Sequence, residues 1–175
     1  MCYSDLVEAI AVIYGMQGSL QGGGRPELSV MIKNIAEGIK ILYSEICNIN
    51  ISNNLNSQFM VNPDESIPLA LVMNEIITNA IKHSVSEALC EVDIDINYDA
   101  DDVIIKVSNN GHLPDDFNLS NEKDTGTGLK LVRSLMPFNE RQFRLYENNE
   151  KVFAQIKLDS NMIYQLKYAI KSREM

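Results

Sequence analysis

The segment from Ser66 to His83 constrains the fold more than any other stretch of this chain. At about 100° per residue, Leu69, Val72, Met73, Ile76, Ile77 and Ala80 fall on one side of a helix. Glu75, Thr78, Asn79 and Lys82 gather on the other. Pro68 suits a first helical turn, where its missing N–H is no loss, and Ser66 can cap just before it. A helix with one apolar side needs an apolar surface to lie on, and the chain supplies one directly afterwards. In residues 91–97, Val92, Ile94 and Ile96 alternate with Asp93, Asp95 and Asn97, the pattern of a half-buried strand. Residues 103–107 form a second strand after the acidic turn 99–102, so the two predict a hairpin.

The flanking segments extend this core. Residues 4–20 predict a helix that ends at Gln21-Gly22-Gly23-Gly24-Arg25-Pro26. Residues 27–47 predict another, with Leu28, Ile32, Ile35, Ile39 and Leu42 at helical spacing. The Asn-rich residues 48–57 read as a loop, and 58–61 as a short strand closed by Asn62-Pro63. Residues 108–128 read as a long loop, a length that usually marks function. A helix over 127–135 stops before Pro137. Residues 142–146 and 152–158 make a closing hairpin around Asn148-Asn149, and 160–175 read as an amphipathic helix. The fold class expected is α+β, a two-layer sandwich whose mixed, mostly antiparallel sheet carries helices on one face. An N-terminal and a C-terminal helix are added to it.

Composition narrows the function. With 175 residues, the chain has room for one domain and a real core. A net charge of −9 disfavours a nucleic-acid partner, which needs a basic surface. His83 and His112 are the only histidines, which excludes any mechanism needing several His ligands. Cys2, Cys47 and Cys90 are odd in number and far apart, so buried free thiols are expected rather than a disulfide framework or a zinc ribbon. No stretch approaches about 20 apolar residues, and no signal peptide is visible. The expectation is a cytoplasmic chain without membrane contact, any anchor of the parent protein lying outside this sequence.

Three segments carry chemistry. Glu75, Asn79 and Lys82 are about one helical turn apart and point the same way. A carboxylate can orient or activate a nucleophile, an amide oxygen can complete a Mg²⁺ shell, and an ammonium can neutralise phosphate. Taken alone, the stripe equally describes an exposed helix face with a weak i,i+3 ion pair. The second segment is Val107-Ser108-Asn109-Asn110-Gly111-His112-Leu113-Pro114. A Gly straight after a buried strand lets a flat ligand approach the backbone, and a polar turn would use the same residues. The third is Thr125-Gly126-Thr127-Gly128-Leu129-Lys130-Leu131-Val132, where glycines opening a helix expose N–H groups to an anion.

Their order and spacing add what each lacks alone. The run Asn74-Glu75-Ile76-Ile77-Thr78-Asn79-Ala80-Ile81-Lys82-His83 resembles the N box of sensor histidine kinases, in the subclass that carries the Asn-Glu pair. Residues 107–114 resemble the first glycine box of that family and 125–132 the second, in family order, so the resemblance covers about residues 27–158. It implies the Bergerat-type ATP-binding sandwich shared with gyrase, heat-shock and mismatch-repair ATPases. It also implies three parts: residues 1–24 as the residual helix and linker of a dimerisation hairpin, 25–158 as the catalytic domain and 159–175 as a helical extension. ATP and Mg²⁺ are the implied ligands. Asn79 then corresponds to the Mg²⁺ ligand, Lys82 to a phosphate contact and Glu75 to the catalytic acidic position. Asn74, Asn109, Gly111, Thr125, Gly126, Thr127, Gly128 and Leu129 fall on nucleotide-binding positions. Residues 115–125 correspond to a lid, with Lys123 facing phosphate, while His83 is as well explained by packing.

Two departures shape the expected activity. The first glycine box of the family begins with Asp, which accepts a hydrogen bond from the adenine amino group. Here Asn109 takes that place, and an amide lacks the charge assistance, a deficit of about 1–2 kcal/mol. The second glycine of the box is replaced by the run His112-Leu113-Pro114. Residues 4–20 resemble the end of the hairpin's second helix, but no phosphoacceptor His precedes them. The resemblance implies a kinase domain acting on a His of a separate dimerisation hairpin, with a response regulator receiver domain downstream and a homodimer formed through residues 4–20. The alternative is a degenerate domain that docks, regulates or relays phosphate in two-component signalling. An anti-sigma-type serine kinase of the same superfamily fits less well.

Overall fold

Alternating strands and one strongly two-sided helix determine how the molecule is layered. This computed structural model describes residues 25–84, 89–115, 117–118, 126–135 and 142–166. Three helices are seen there: α1 (Leu28–Tyr43), α2 (Pro63–Lys82) and α3 (Thr127–Leu135). Five strands form the main sheet: β1 (Cys47–Asn53), β3 (Cys90–Asp99), β4 (Asp102–Asn110), β5 (Phe143–Asn148) and β6 (Lys151–Leu158). Their order is β1-β3-β4-β6-β5, with β1 parallel to β3 and every other pair antiparallel. Two further strands, β2 (Phe59–Val61) and β7 (Ile163–Gln165), pair with each other. The mixed, mostly antiparallel sandwich is as the sequence predicts.

The period of two decides which face the helices cover. Val92, Ile94 and Ile96 of β3 and Val103, Ile105 and Val107 of β4 are buried, while Asp95 stands opposite Lys106 on the other face. α2 packs on β3 and β4 from the apolar side and also touches α1 and α3. Leu69, Val72, Met73, Ile76, Ile77 and Ala80 are all buried, as the helical period demands. The turns obey equally local rules. Ala100 and Asp101 join β3 to β4 with φ of 46° and 76°, and Asn149 and Glu150 join β5 to β6 at 50° and 61°.

Five expectations need correction. α2 begins at Pro63, five residues before Pro68, so Pro68 lies inside the helix and Ser66 is no cap. Pro63 fills the first-turn position instead, where no N–H is needed, and Ser66 bonds back to the Pro63 carbonyl at 2.8 Å. α1 ends at Tyr43, leaving Leu42 56% exposed rather than in the apolar stripe. The Asn-rich segment taken for a loop contains β1, whose Asn50 donates to Asp93 Oδ1 at 3.1 Å across the ladder. β4 runs on through Asn110, so Ser108 and Asn109 are buried strand residues and not loop. Ile163–Gln165 is strand, not helix, because it closes against β2.

The cysteines differ as well. Cys47 and Cys90 form a disulfide, with Cα atoms 4.3 Å apart. They are 43 residues apart in sequence but opposite each other in the β1–β3 register, which spacing alone does not reveal. Helix 4–20, Cys2, Lys123 and the tail beyond residue 166 lie outside the described residues. Among the described residues, no helix is long and apolar enough to cross a membrane.

Candidate functional site

The polar stripe of α2 is not a solvated face. Asn74, Glu75 and Thr78 are 9%, 6% and 6% exposed, so this helix is buried on both sides over its middle turns. Thr78 settles its hydroxyl within the helix, bonding to the Asn74 carbonyl at 2.8 Å and the Glu75 carbonyl at 3.2 Å. Two carboxylate or amide groups held this far from water need a structural reason. The N-terminus of α3 gives one for Glu75, because Gly128 packs directly onto its carboxylate. A Cβ added there would collide with the Glu75 carboxylate and lie 3.3 Å from Asn79 Nδ2. Only glycine brings the first turn of α3 this close to α2.

Asn79 is half-buried and lies at the boundary of a cavity of about 280 Å³. The cavity is enclosed by α2, the end of β4 and the loop after it, the start of α3, and the β5–β6 hairpin. Of the residues singled out in the sequence, Asn79, Asn109, Gly126, Gly128 and Leu129 line it together. His83 joins them from the exposed end of α2. Asn74, Glu75, Lys82 and Gly111 do not line it. Glu75 sits behind Gly128, and Lys82 is exposed at the last turn. Thr125 lies outside the described residues, and Thr127 opens α3.

The other wall is polar at its base and apolar above. Asn109 is 4% exposed and sits in register with Val92 on one side and Val152 on the other. Its Nδ2 donates to the Asn110 carbonyl at 3.1 Å. Gly111 is buried, and a Cβ on it would meet the His83 carbonyl at 2.9 Å, so this glycine lets the strand end approach the end of α2. Gly126 is open, with nothing within 4 Å of an added Cβ.

Sequence reasoning passed over several lining residues. Leu113 and Phe117 contribute from the loop, and Phe143, Leu145, Val152 and Ala154 from the β5–β6 hairpin. The period-two spacing within each hairpin strand was the available signal. It also passed over Glu147, whose two oxygens accept from His112 Nδ1 at 2.8 Å and the Leu113 N–H at 2.8 Å. That hydrogen bond and charge raise His112 above the ordinary imidazole value. The His112 bond, then the Leu113 N–H, holds Glu147 below the usual carboxylate value.

The donor set bears on what can be held here. Among the described residues, no group of three or more His, Cys, Asp and Glu could cage a metal ion. Asn79 offers a single amide oxygen at the cavity wall. That fits a hard cation such as Mg²⁺, which keeps several waters and takes its remaining oxygens from a bound phosphate.

Known proteins share this architecture. No curated protein sequence matches the chain. The histidine kinase domain of the blue-light activated histidine kinase of Erythrobacter litoralis EL346 superposes with a TM-score of 0.66 at 16% identity, over 89% of this chain and 73% of that one. In a second structure of the blue-light activated kinase, at 19% identity, the chain spans 46% of the matched length. The mycobacterial sensor histidine kinase MprB matches with a TM-score of 0.60 at 15% identity, over 82% of this chain and 99% of that one. Residues 64–159 match the family described as histidine kinase-, DNA gyrase B-, and HSP90-like ATPase, from the first turn of α2 past the end of β6. With more than half of its length matched, the chain belongs to this ATPase family.

Proposed function

We propose that this chain is the ATP-binding catalytic domain of a two-component sensor histidine kinase. It binds ATP with Mg²⁺ and donates the γ-phosphoryl group to a His on a separate dimerisation hairpin, leaving ADP. The carrying observation is the apposition of Gly128, Glu75 and Asn79 at one end of a cavity with buried Asn109 in its wall. A bound magnesium ion would neutralise phosphate charge and orient the transferred group. Asn79 would hold it through the amide oxygen. Gly126, Gly128 and the N–H groups opening α3 would receive phosphate oxygens, which the helix dipole favours. Lys82 would approach phosphate from the end of α2, and Glu75 would align the attacking imidazole of the acceptor. Asn109 would accept from the base, and the apolar hairpin residues would enclose its ring.

The same reading assigns residues 25–158 to the catalytic unit, residues 1–24 to a dimerising helix and linker, and a cytoplasmic location to the domain. Its partners would be the acceptor hairpin, a receiver domain and a second copy of this chain. A docking or regulatory module is the second reading, and the neutral Asn109 favours it. Calorimetric titration with ATP and ADP, with and without Mg²⁺, separates the two. Binding that depends on Mg²⁺, and loses that dependence in Asn79→Ala, is expected for the kinase domain. No heat at about 1 mM nucleotide, where even weak complexes form, would leave the docking reading.

A further inference from the structure

One ring in the cavity wall is held in place by the β5–β6 hairpin. His112 lines the cavity, yet the ring is not free to swing. Nδ1 bonds to Glu147 Oε1 at 2.8 Å, and the next residue's N–H bonds to Oε2 of the same carboxylate at 2.8 Å. One carboxylate thus ties both the ring and the backbone of the loop after β4 to strand β5. The loop is fixed once more by the Gly111 N–H, which donates to the Glu150 carbonyl at 3.1 Å. With Nδ1 committed to Glu147, Nε2 is the ring's other donor once the ring is protonated.

We propose that His112 is a ligand-contacting residue of this pocket. Its Nε2–H donates to an oxygen of the bound nucleotide, and Glu147 is the positioning residue that holds the ring in place. This rests on the nucleotide-binding reading given above. The charged and titratable groups around the ring are Glu147 on β5, Glu150 in the β5–β6 turn and His83 at the end of α2 across the cavity. Both carboxylates favour the protonated ring. In a chain of net charge −9, this ring when protonated would offset repulsion of an anionic ligand.

The oxygen acceptor can belong to the sugar or to a phosphate, and the test separates them. ADP and adenosine are titrated calorimetrically at about pH 5.5 and about pH 8.5, either side of the imidazole range, into wild type, His112→Gln and Glu147→Gln. Wild type is expected to bind ADP about threefold to tenfold more tightly at the lower pH than His112→Gln does, and equally at the higher. Using the difference between the two proteins cancels the ligand's own titration. The same difference for adenosine assigns the sugar, and its absence there assigns a phosphate. In Glu147→Gln, the imidazole midpoint followed by NMR falls toward the ordinary value, and the pH effect on binding moves with it. A merely structural Glu147 would alter melting without moving that midpoint. Equal pH profiles in wild type and His112→Gln overturn the inference while leaving nucleotide binding in place. No binding of ADP at either pH overturns both readings.

Discussion

α2 and the loop after β4 face each other across one cavity, yet they are held by different means. The α2 wall is fixed by burial: Glu75 and Asn74 are nearly inaccessible, and Gly128 leaves no space between Glu75 and α3. The opposite wall is fixed at its rim by two hydrogen bonds to one exposed carboxylate, Glu147. A wall locked by sterics tolerates almost no change, because backbone and side chains must move together to relieve a clash. A wall held by an exposed ion pair can be rewritten at small cost to the fold. The two walls should therefore respond differently to substitution.

The largest test of the contrast is at Gly128. Gly128→Ala drives a methyl group into the Glu75 carboxylate, so we expect a loss of about 1–3 kcal/mol of stability from overpacking. Nucleotide affinity should fall with it, since α3 must withdraw from Asn79. Gly126→Ala is the control for stability alone, because nothing lies within 4 Å of its added Cβ. Chemical denaturation and calorimetry on the two variants read both effects. Equal stability of the two would mean that α2 and α3 are not in contact as described.

A smaller change is expected on the other wall. Asn109→Asp restores a charged acceptor for a base amino group and should tighten ATP binding about tenfold, the value of about 1–2 kcal/mol of charge assistance. Because Asn109 is 4% exposed, the same charge should lower the stability of the free protein. Adenine-dependent tightening is measured against a triphosphate without a base. Unchanged affinity would remove Asn109 from the base contact and leave the cavity's phosphate end untouched.

The sequence exposes these walls unequally for physical reasons. α2 and the β3–β4 hairpin were legible because their apolar residues recur at 3.6 and 2.0 while the other face is polar. β1 was not legible: it is an edge strand, only Cys47 and Ile49 are buried, and its asparagines look like turn residues. What makes it a strand is non-local, since Asn50 and Asn54 bond to Asp93 and Asn97 of β3. β7 is three residues long and exists through pairing with a strand about a hundred positions earlier. At the site, local periodicity placed Asn79 and Glu75 on one face, but the burial of Glu75 comes from Gly128, far along the chain. The pairing of His112 had no sequence signal, because Glu147 lies 35 residues away on another strand.

The smallest expected effect concerns that pair, and its sign is fixed by the two shifts. His112 is raised from an ordinary value of 6.5, so its contribution to stability is full below that value and is lost as pH rises through the folded value. Glu147 is lowered from 4.5, so its contribution is present above that value and is lost as pH falls through the folded one. The pair therefore stabilises most between the two ordinary values, where both partners carry their charge. Both groups are solvent-exposed, so the shift in melting temperature should be no more than about 2 °C and should shrink with added salt. Melting curves of wild type and Glu147→Gln across this range give the measurement. A difference that peaks between the two values and narrows on either side is expected. A difference that narrows only at low pH and stays constant as pH rises past 6.5 would mean that the rim is held by the Leu113 N–H alone, and the second wall would then lack the ion pair that distinguishes it from the first.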